Sequence, residues 1–362
     1  MGCKPWGQRR CWRRSLGRVL VMGVLLAGCA PTETADTDVP AEPVAAPRLA
    51  VVTTFLPMTA FTKAVVGDRA TVTQLVPANV DPHDFQARPQ DVQAVAQAAV
   101  LVKNGLEIET FLEGLIKNAN NPNLTVIDSS VGVATLAHEE DKAHSHDHDH
   151  EHGHKEAHDH EHRHGEFNPH IWLDPVRAIQ QVETIRDGLT AVDAEGAATY
   201  AANAAAFIKQ LRALDAEARA QLAPFAGKTF VVYHDLAPYF AERYNLKAEF
   251  LVGVPEASPA PEDVRRVMAA VQTSQLKTLL TEPGQEEVFA SLAKDMGVSV
   301  SVFDPLETAS SAADLTPAYF LATMRQNIRN LAAAFGARTQ AYRSRGSVAV
   351  VWPVAALSFV YP

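Results

Sequence analysis

Residues 168–175 read Asn168-Pro169-His170-Ile171-Trp172-Leu173-Asp174-Pro175. Asp174 is a good N-cap and Pro175 suits the first helical position, so the spacing predicts a helix from here. Val176, Ile179, Val182, Ile185 and Leu189 then recur at three- and four-residue intervals, the pattern of one apolar helical face. A second, Ala-rich helix is predicted over roughly 194–222, with Phe207, Leu211 and Leu214 on one side. Two long helices in mid-chain, with strand patterns before and after, read as a rigid connection between two lobes.

Working outward, the upstream segment alternates strand and helix patterns. Strands are predicted at Leu49 to Phe55, Ala70 to Val76, Val100 to Lys103 and Leu124 to Asp128, with helices at Pro89 to Ala99 and Glu109 to Asn118. Downstream the alternation returns. Strands at Thr229 to Tyr233, Glu249 to Val252, Thr278 to Thr281 and Val298 to Phe303 are interleaved with helices at Pro238 to Tyr244, Pro261 to Thr273, Glu286 to Met296 and Pro317 to Phe335. Such alternation predicts an α/β class with a parallel sheet flanked by helices in each lobe. The expected organisation is an N-terminal lobe over 48–174, a linker helix over 175–198 and a C-terminal lobe over 199–336. Residues 337–362 form a tail to which no function is assigned.

The histidines are unevenly placed. Of 14, 11 fall between His138 and His164, and the other three are His83, His170 and His234. The dense tract holds nine acids and no large apolar residue, so it cannot bury enough surface to offset the entropy of ordering itself. It reads as a mobile loop over 138–164 with loose affinity for metal, offered by His144, His146, His148, His150, His152, His154, His158, His160, His162 and His164. A solvated insertion with only adventitious affinity is the plainer reading.

The three isolated histidines suit a borderline metal such as Zn2+, which takes imidazole nitrogen at roughly 2.0–2.1 Å. Each alone reads equally well as a buried core histidine. Their positions favour a shared site. His83 follows the strand ending at Val76, His234 directly follows Phe230-Val231-Val232-Tyr233, and Asp304 directly follows Val300-Ser301-Val302-Phe303. In open α/β sheets, ligands bind outside the carboxyl ends of the strands. A metal between the lobes is therefore expected on His83, His170, His234 and Asp304. Asp304 also reads as a simple turn cap before Pro305, and Glu282, which follows another strand, competes for the fourth position.

The N-terminus reads as an export signal over 1–28. Lys4, Arg9, Arg10, Arg13, Arg14 and Arg18 precede an apolar run from Val19 to Ala27, and no acid interrupts them. The run is about half the ~20 residues that span a bilayer. It ends in Leu26-Ala27-Gly28-Cys29, which resembles the bacterial lipobox and implies cleavage before Cys29 and lipidation of that residue. A Pro-, Ala- and acid-rich tether over 29–47 follows. The cysteines are Cys3, Cys11 and Cys29, so no disulfide framework or thiolate metal site remains after processing. Net charge is −10 although the first 28 residues are basic, and no basic patch follows them, which argues against nucleic acid.

The ordered set Pro82-His83-Asp84-Phe85, Asn168 to Pro175, Tyr233-His234-Asp235 with Tyr239-Phe240, and Asp304-Pro305-Leu306, behind a lipobox, resembles the metal-binding lipoproteins of bacterial ABC importers (cluster A-I, or cluster 9, solute-binding proteins). The resemblance spans about Arg48 to Phe335. It implies two α/β lobes joined by a long helix, with metal held between them by His83, His170 and His234 and, variably, a carboxylate at Asp304. It further implies a monomeric receptor, outside the cytoplasm and tethered to the membrane through Cys29, that delivers Zn2+ to an ABC permease and its ATPase. Manganese members carry a carboxylate where this chain has His234, and nitrogen donors favour zinc. A manganese or iron(II) receptor is thus the second reading. An adhesin or metal scavenger without an importer is another. A zinc hydrolase would need an open water position and a general base. The two His-Glu-x-x-His matches, at His150 and His160, lie inside the tract, where composition alone produces them. No enzyme is expected.

Overall fold

A computed structural model describes residues 48–138 and 165–336. The signal, the tether, the tract residues His144 to His164 and the C-terminal tail lie outside them. All described residues fall in one compact unit.

In the first lobe, β1 (Leu49–Thr53), β2 (Ala70–Gln74), β3 (Val100–Lys103) and β4 (Thr125–Asp128) form a parallel sheet in the order β2-β1-β3-β4. Parallel neighbours need crossover connections. These are α1 (Leu56–Val66), α2 (Pro89–Gln97) and α3 (Leu112–Ala119). Helix α1 was not legible in the sequence, where the first strand was extended to Phe55. Nine of its 11 residues are buried, so no polar stripe marks the helical period.

Two long helices follow, α4 (Pro175–Val192) and α5 (Ala197–Leu222). Asp174 caps α4 by accepting the Val176 N–H at 2.8 Å, and Pro175 fills its first turn as expected. Ile179, Val182, Ile185 and Leu189 are buried along one face. Gly188 lets α4 lie against β4, since a Cβ there would come within 2.5 Å of the Ile127 side chain. The 26 residues of α5 span about 39 Å. The turn between the helices is fixed by Asp193, which accepts Arg69 Nε at 2.5 Å, Arg69 Nη2 at 2.8 Å and the Tyr200 hydroxyl at 2.6 Å.

In the second lobe, β5 (Thr229–His234) pairs with β6 (Lys247–Val252), and β7 (Thr278–Thr281) pairs with β8 (Ser299–Val302). Both pairings are parallel, crossed by α6 (Pro238–Arg243) and α8 (Glu286–Met296), with α7 (Pro261–Ser274) leading from β6 to β7. Helix α9 (Pro317–Ala334) closes the fold. The second lobe thus holds two parallel pairs, with β5 and β7 side by side, where one sheet was expected.

One continuous apolar core runs from Val51 of β1 through Phe207, Leu211 and Leu214 of α5 to Leu331 of α9. Phe61 of α1 stacks edge-on against Phe320 of α9, with ring centroids 4.9 Å apart. The lobes therefore share buried surface directly, and the long helices are part of that core rather than a free-standing strut. Among the described residues no helix is long and apolar enough to cross a membrane.

Candidate metal centre

His83, His170, His234 and Glu307 offer one ligand atom each, all within 4.8 Å of one another. The four come from four places in the chain. His83 lies in the loop beyond β2, and His170 sits before a short 3-10 turn over Ile171–Leu173 that leads into α4. His234 is the last residue of β5, and Glu307 follows the turn after β8. Three approach from the carboxyl ends of parallel strands, as the topology rule expects.

The Nε2 atoms of His170 and His234 are 3.0 Å apart. Glu307 Oε1 lies 3.0 Å from His170 Nε2, 3.4 Å from His83 Nε2 and 3.8 Å from His234 Nε2. Ligands bound at roughly 2.0–2.1 Å in a tetrahedron are separated by about 3.3 Å. The observed edges bracket that value. His170, His234 and Glu307 are essentially inaccessible to solvent.

The hydrogen bonds behind the rings fix which nitrogen faces inward. Asn168 Oδ1 lies 3.0 Å from the His170 backbone N–H, which donates to it, and 2.9 Å from His170 Nδ1, while Asn168 Nδ2 donates to the Asp235 carbonyl at 2.7 Å. The amide orientation is thereby set, and Nδ1 of His170 must carry the hydrogen. Glu282 Oε1 likewise accepts His234 Nδ1–H at 2.5 Å and the His234 backbone N–H at 3.3 Å. Both rings spend their Nδ1 hydrogen outward, so both Nε2 lone pairs point at the same place. Two lone pairs 3.0 Å apart require a cation or a shared proton between them. Glu307 Oε2 is buried and, among the described residues, accepts no hydrogen bond. A carboxylate oxygen left bare in the interior is costly unless a cation completes it.

Burial pushes His170 down to about 4, so its ring stays neutral and able to donate a lone pair. Burial also opposes charge on His83 and His234. For His83 the hydrogen bond and charge of Glu307 outweigh it, and for His234 the carboxylates of Glu282 and Glu307 do, so both rings are held above the usual imidazole range. Glu307 itself, despite burial, is held well below the usual carboxylate range by His234, His170 and His83. Asp81 is pushed up to about 7 by burial and by repulsion from Glu307.

Asp304, expected as the fourth ligand, does not join the group. Its Oδ1 instead accepts the Leu306 N–H at 2.7 Å, the turn-cap role its sequence position also allows. Asn327 holds the same turn from both sides, accepting the Asp304 N–H at 2.9 Å and donating to the Asp304 carbonyl at 2.7 Å. Leu306 adopts φ 64°, a left-handed conformation rare for a branched side chain. That bend turns Glu307 back toward the histidines. No strand-end cue in the sequence marks Glu307; only the acidic type three residues after Asp304 hinted at it. Glu282, the competing carboxylate in the sequence, stands behind His234 rather than among the four.

Contacts between the lobes surround the centre. Trp172 Nε1–H donates to the Pro305 carbonyl at 2.8 Å, and the Tyr239 hydroxyl donates to the Asn168 carbonyl at 2.6 Å. Of the tract only His138 is described, with Nδ1 3.2 Å from Asp235 Oδ2, one residue beyond His234. Ala137 and Phe167, on either side of the tract, form an antiparallel bridge.

Comparison with known proteins gives a consistent picture. The family model described as "ZnuA: Zinc-uptake complex component A periplasmic" matches residues 51–334. The zinc-binding protein AdcA of Streptococcus pyogenes serotype M3 is 31% identical over 294 residues, which cover 78% of this chain and 55% of that protein. The chain thus spans about half the length of the AdcA proteins it matches. The high-affinity zinc uptake system protein ZnuA of Bacillus subtilis is 29% identical over 283 residues, covering 78% of this chain and 86% of that one. Among solved structures, the Zn(II)-bound ZnuA-like domain of Streptococcus pneumoniae AdcA superposes with a TM-score of 0.63 at 28% identity, covering 79% of this chain and 98% of that domain.

Proposed function

The chain belongs to the zinc-uptake complex component A family, and on that premise we propose that it is an extracytoplasmic receptor that captures Zn2+ between its lobes and delivers it to an ABC permease and its ATPase. The observation that carries this reading is the convergence of three imidazole nitrogens and one buried carboxylate at tetrahedral spacing. His83, His170, His234 and Glu307 are the proposed ligands. Three nitrogens and one oxygen suit zinc better than manganese, which prefers oxygen-rich sets. With four protein ligands no position is left for an activated water, so the centre serves binding and release rather than hydrolysis.

The remaining parts of the proposal rest on the sequence. Residues 1–28 would be removed on export, Cys29 would carry the lipid that tethers a monomer to the membrane surface, and 29–47 would be the tether. The lobes are proposed at 48–174 and 199–336. Histidines from His144 to His164 would gather metal loosely, in a tract whose flanking residues His138, Ala137 and Phe167 are described.

The test is a competition titration on the chain lacking residues 1–28, with zinc and manganese offered together and bound metal counted by elemental analysis. One tight zinc is expected, undisplaced by excess manganese. His170→Ala should abolish that site and leave weak binding by the tract, whereas deleting 139–164 should remove the weak binding alone. Full affinity and stoichiometry in His170→Ala would overturn the site. Preferential retention of manganese would overturn the choice of metal.

A further inference from the structure

Resting on the ligand set proposed above, we infer that Glu282 is a positioning and charge-compensating residue for His234, which makes the centre selective for a dication over weaker occupants.

The geometry separates Glu282 from an ordinary buried ion pair. A single carboxylate oxygen takes both the ring Nδ1–H and the backbone N–H of His234. The ring is therefore fixed in rotation, in tautomer and relative to its own main chain. Both partners sit on rigid elements, His234 as the last residue of β5 and Glu282 immediately after Thr281 of β7, and these strands lie side by side. Both are buried.

The contrast with His170 sharpens the point. There the equivalent acceptor is Asn168, a neutral amide that also takes the ring and backbone N–H groups of its histidine. The two histidines are thus oriented by the same device, once with a charge and once without. An amide suffices to set a tautomer. A carboxylate adds negative charge, which makes the inward Nε2 a stronger donor.

That charge has a partner in the electrostatics of the loaded site. A dication bound by three neutral imidazoles and Glu307 would leave one net positive charge in the interior, which is expensive. Glu282, one ring further out, brings the group to neutrality. A monovalent cation in the same place would leave it negative. Selection by charge is thereby built one shell beyond the ligands.

The experiment uses the full chain with Glu282→Gln, Glu282→Asp and His234→Ala, titrated with Zn2+ against a chromophoric chelator. The histidine ring nitrogens of the zinc-loaded protein are followed by proton–nitrogen NMR correlation. Glu282→Gln should weaken zinc binding about 10–100-fold and shift or broaden the His234 Nδ1–H resonance while the His170 resonance stays in place. Glu282→Asp keeps the charge at longer reach and should recover part of the loss. It also carries the test if the glutamine variant does not fold. Wild-type zinc affinity with an unmoved His234 resonance in Glu282→Gln, or in Glu282→Asp if only that variant folds, would overturn the inference. So would Glu282→Asp losing as much affinity as Glu282→Gln when both fold. His234→Ala separates the two levels: unchanged binding there sinks the three-histidine site itself, whereas lost binding there with an intact Glu282→Gln sinks only the role of Glu282.

Discussion

Glu307→Gln and Asp304→Asn, compared side by side, distinguish the carboxylate that binds from the one that shapes the turn. Glu307 Oε1 lies 3.0 to 3.8 Å from the three ring nitrogens. Titrated above the pH at which His83 loses its proton but below that of His234, which Glu282 and Glu307 push up to about 10 against the effect of burial, the metal-free carboxylate faces about one imidazolium charge. With zinc it faces two. Its net contribution to loading is therefore about one extra unit of charge attraction. At about 4 Å and an effective dielectric near 20 that is about 4 kcal/mol, or roughly a thousandfold in affinity at about 1.4 kcal/mol per factor of ten. Glu307→Gln is isosteric and should lose that much, read by competition with a chromophoric chelator. Asp304→Asn keeps an Oδ1 acceptor for the Leu306 N–H and should lose well under about tenfold, the equivalent of a weakened neutral hydrogen bond of about 1 kcal/mol. Equal losses in the two variants, or a larger loss in Asp304→Asn, would return the ligand role to Asp304.

Zinc affinity should fall with acidification, because His83 and His234 are held above the usual imidazole range in the metal-free protein and must shed their protons to bind. Isothermal titration between about pH 5 and 8 should show at least about one decade of apparent affinity per pH unit, with proton release in buffers of different ionisation enthalpy. Trp172→Phe keeps the aromatic ring but leaves the buried Pro305 carbonyl without its donor. It should cost about 1–3 kcal/mol, seen as a thermal midpoint lowered by about 2–4 °C per kcal/mol; an unmoved midpoint would show that bond to be dispensable. Asp193 is held below the usual carboxylate range by the hydrogen bond from Arg69 and then that from Tyr200. Its stabilisation is therefore present above about pH 4, the unfolded value, and is lost as pH falls toward its lower folded value. The melting difference between wild type and Asp193→Asn should accordingly be full at neutral pH and shrink below that point, and a constant gap would contradict the assignment.

Much of this protein is legible in its sequence. Parallel strands separated by helices follow from alternating apolar runs, and β3, β7 and α8 occur where the sequence puts them, because each is bounded by clear breaks and has the length of its type. The three histidines that converge in the cluster stand out in the sequence because imidazole is scarce outside the tract and each of the three lies after a strand or at a helix start. Where the pattern carried no contrast the reading failed. Helix α1 is buried almost all round and so has no polar face to reveal its period. The fourth member of the cluster and the backing of the rings belong wholly to the tertiary structure. Asp304 and Glu307 are three residues apart and both acidic, and only the left-handed Leu306, with Asn327 and Trp172 clamping the turn, decides which of them points inward. Composition can nominate a donor atom, but ligation depends on direction to within an ångström, and direction is set by contacts from residues distant in the chain.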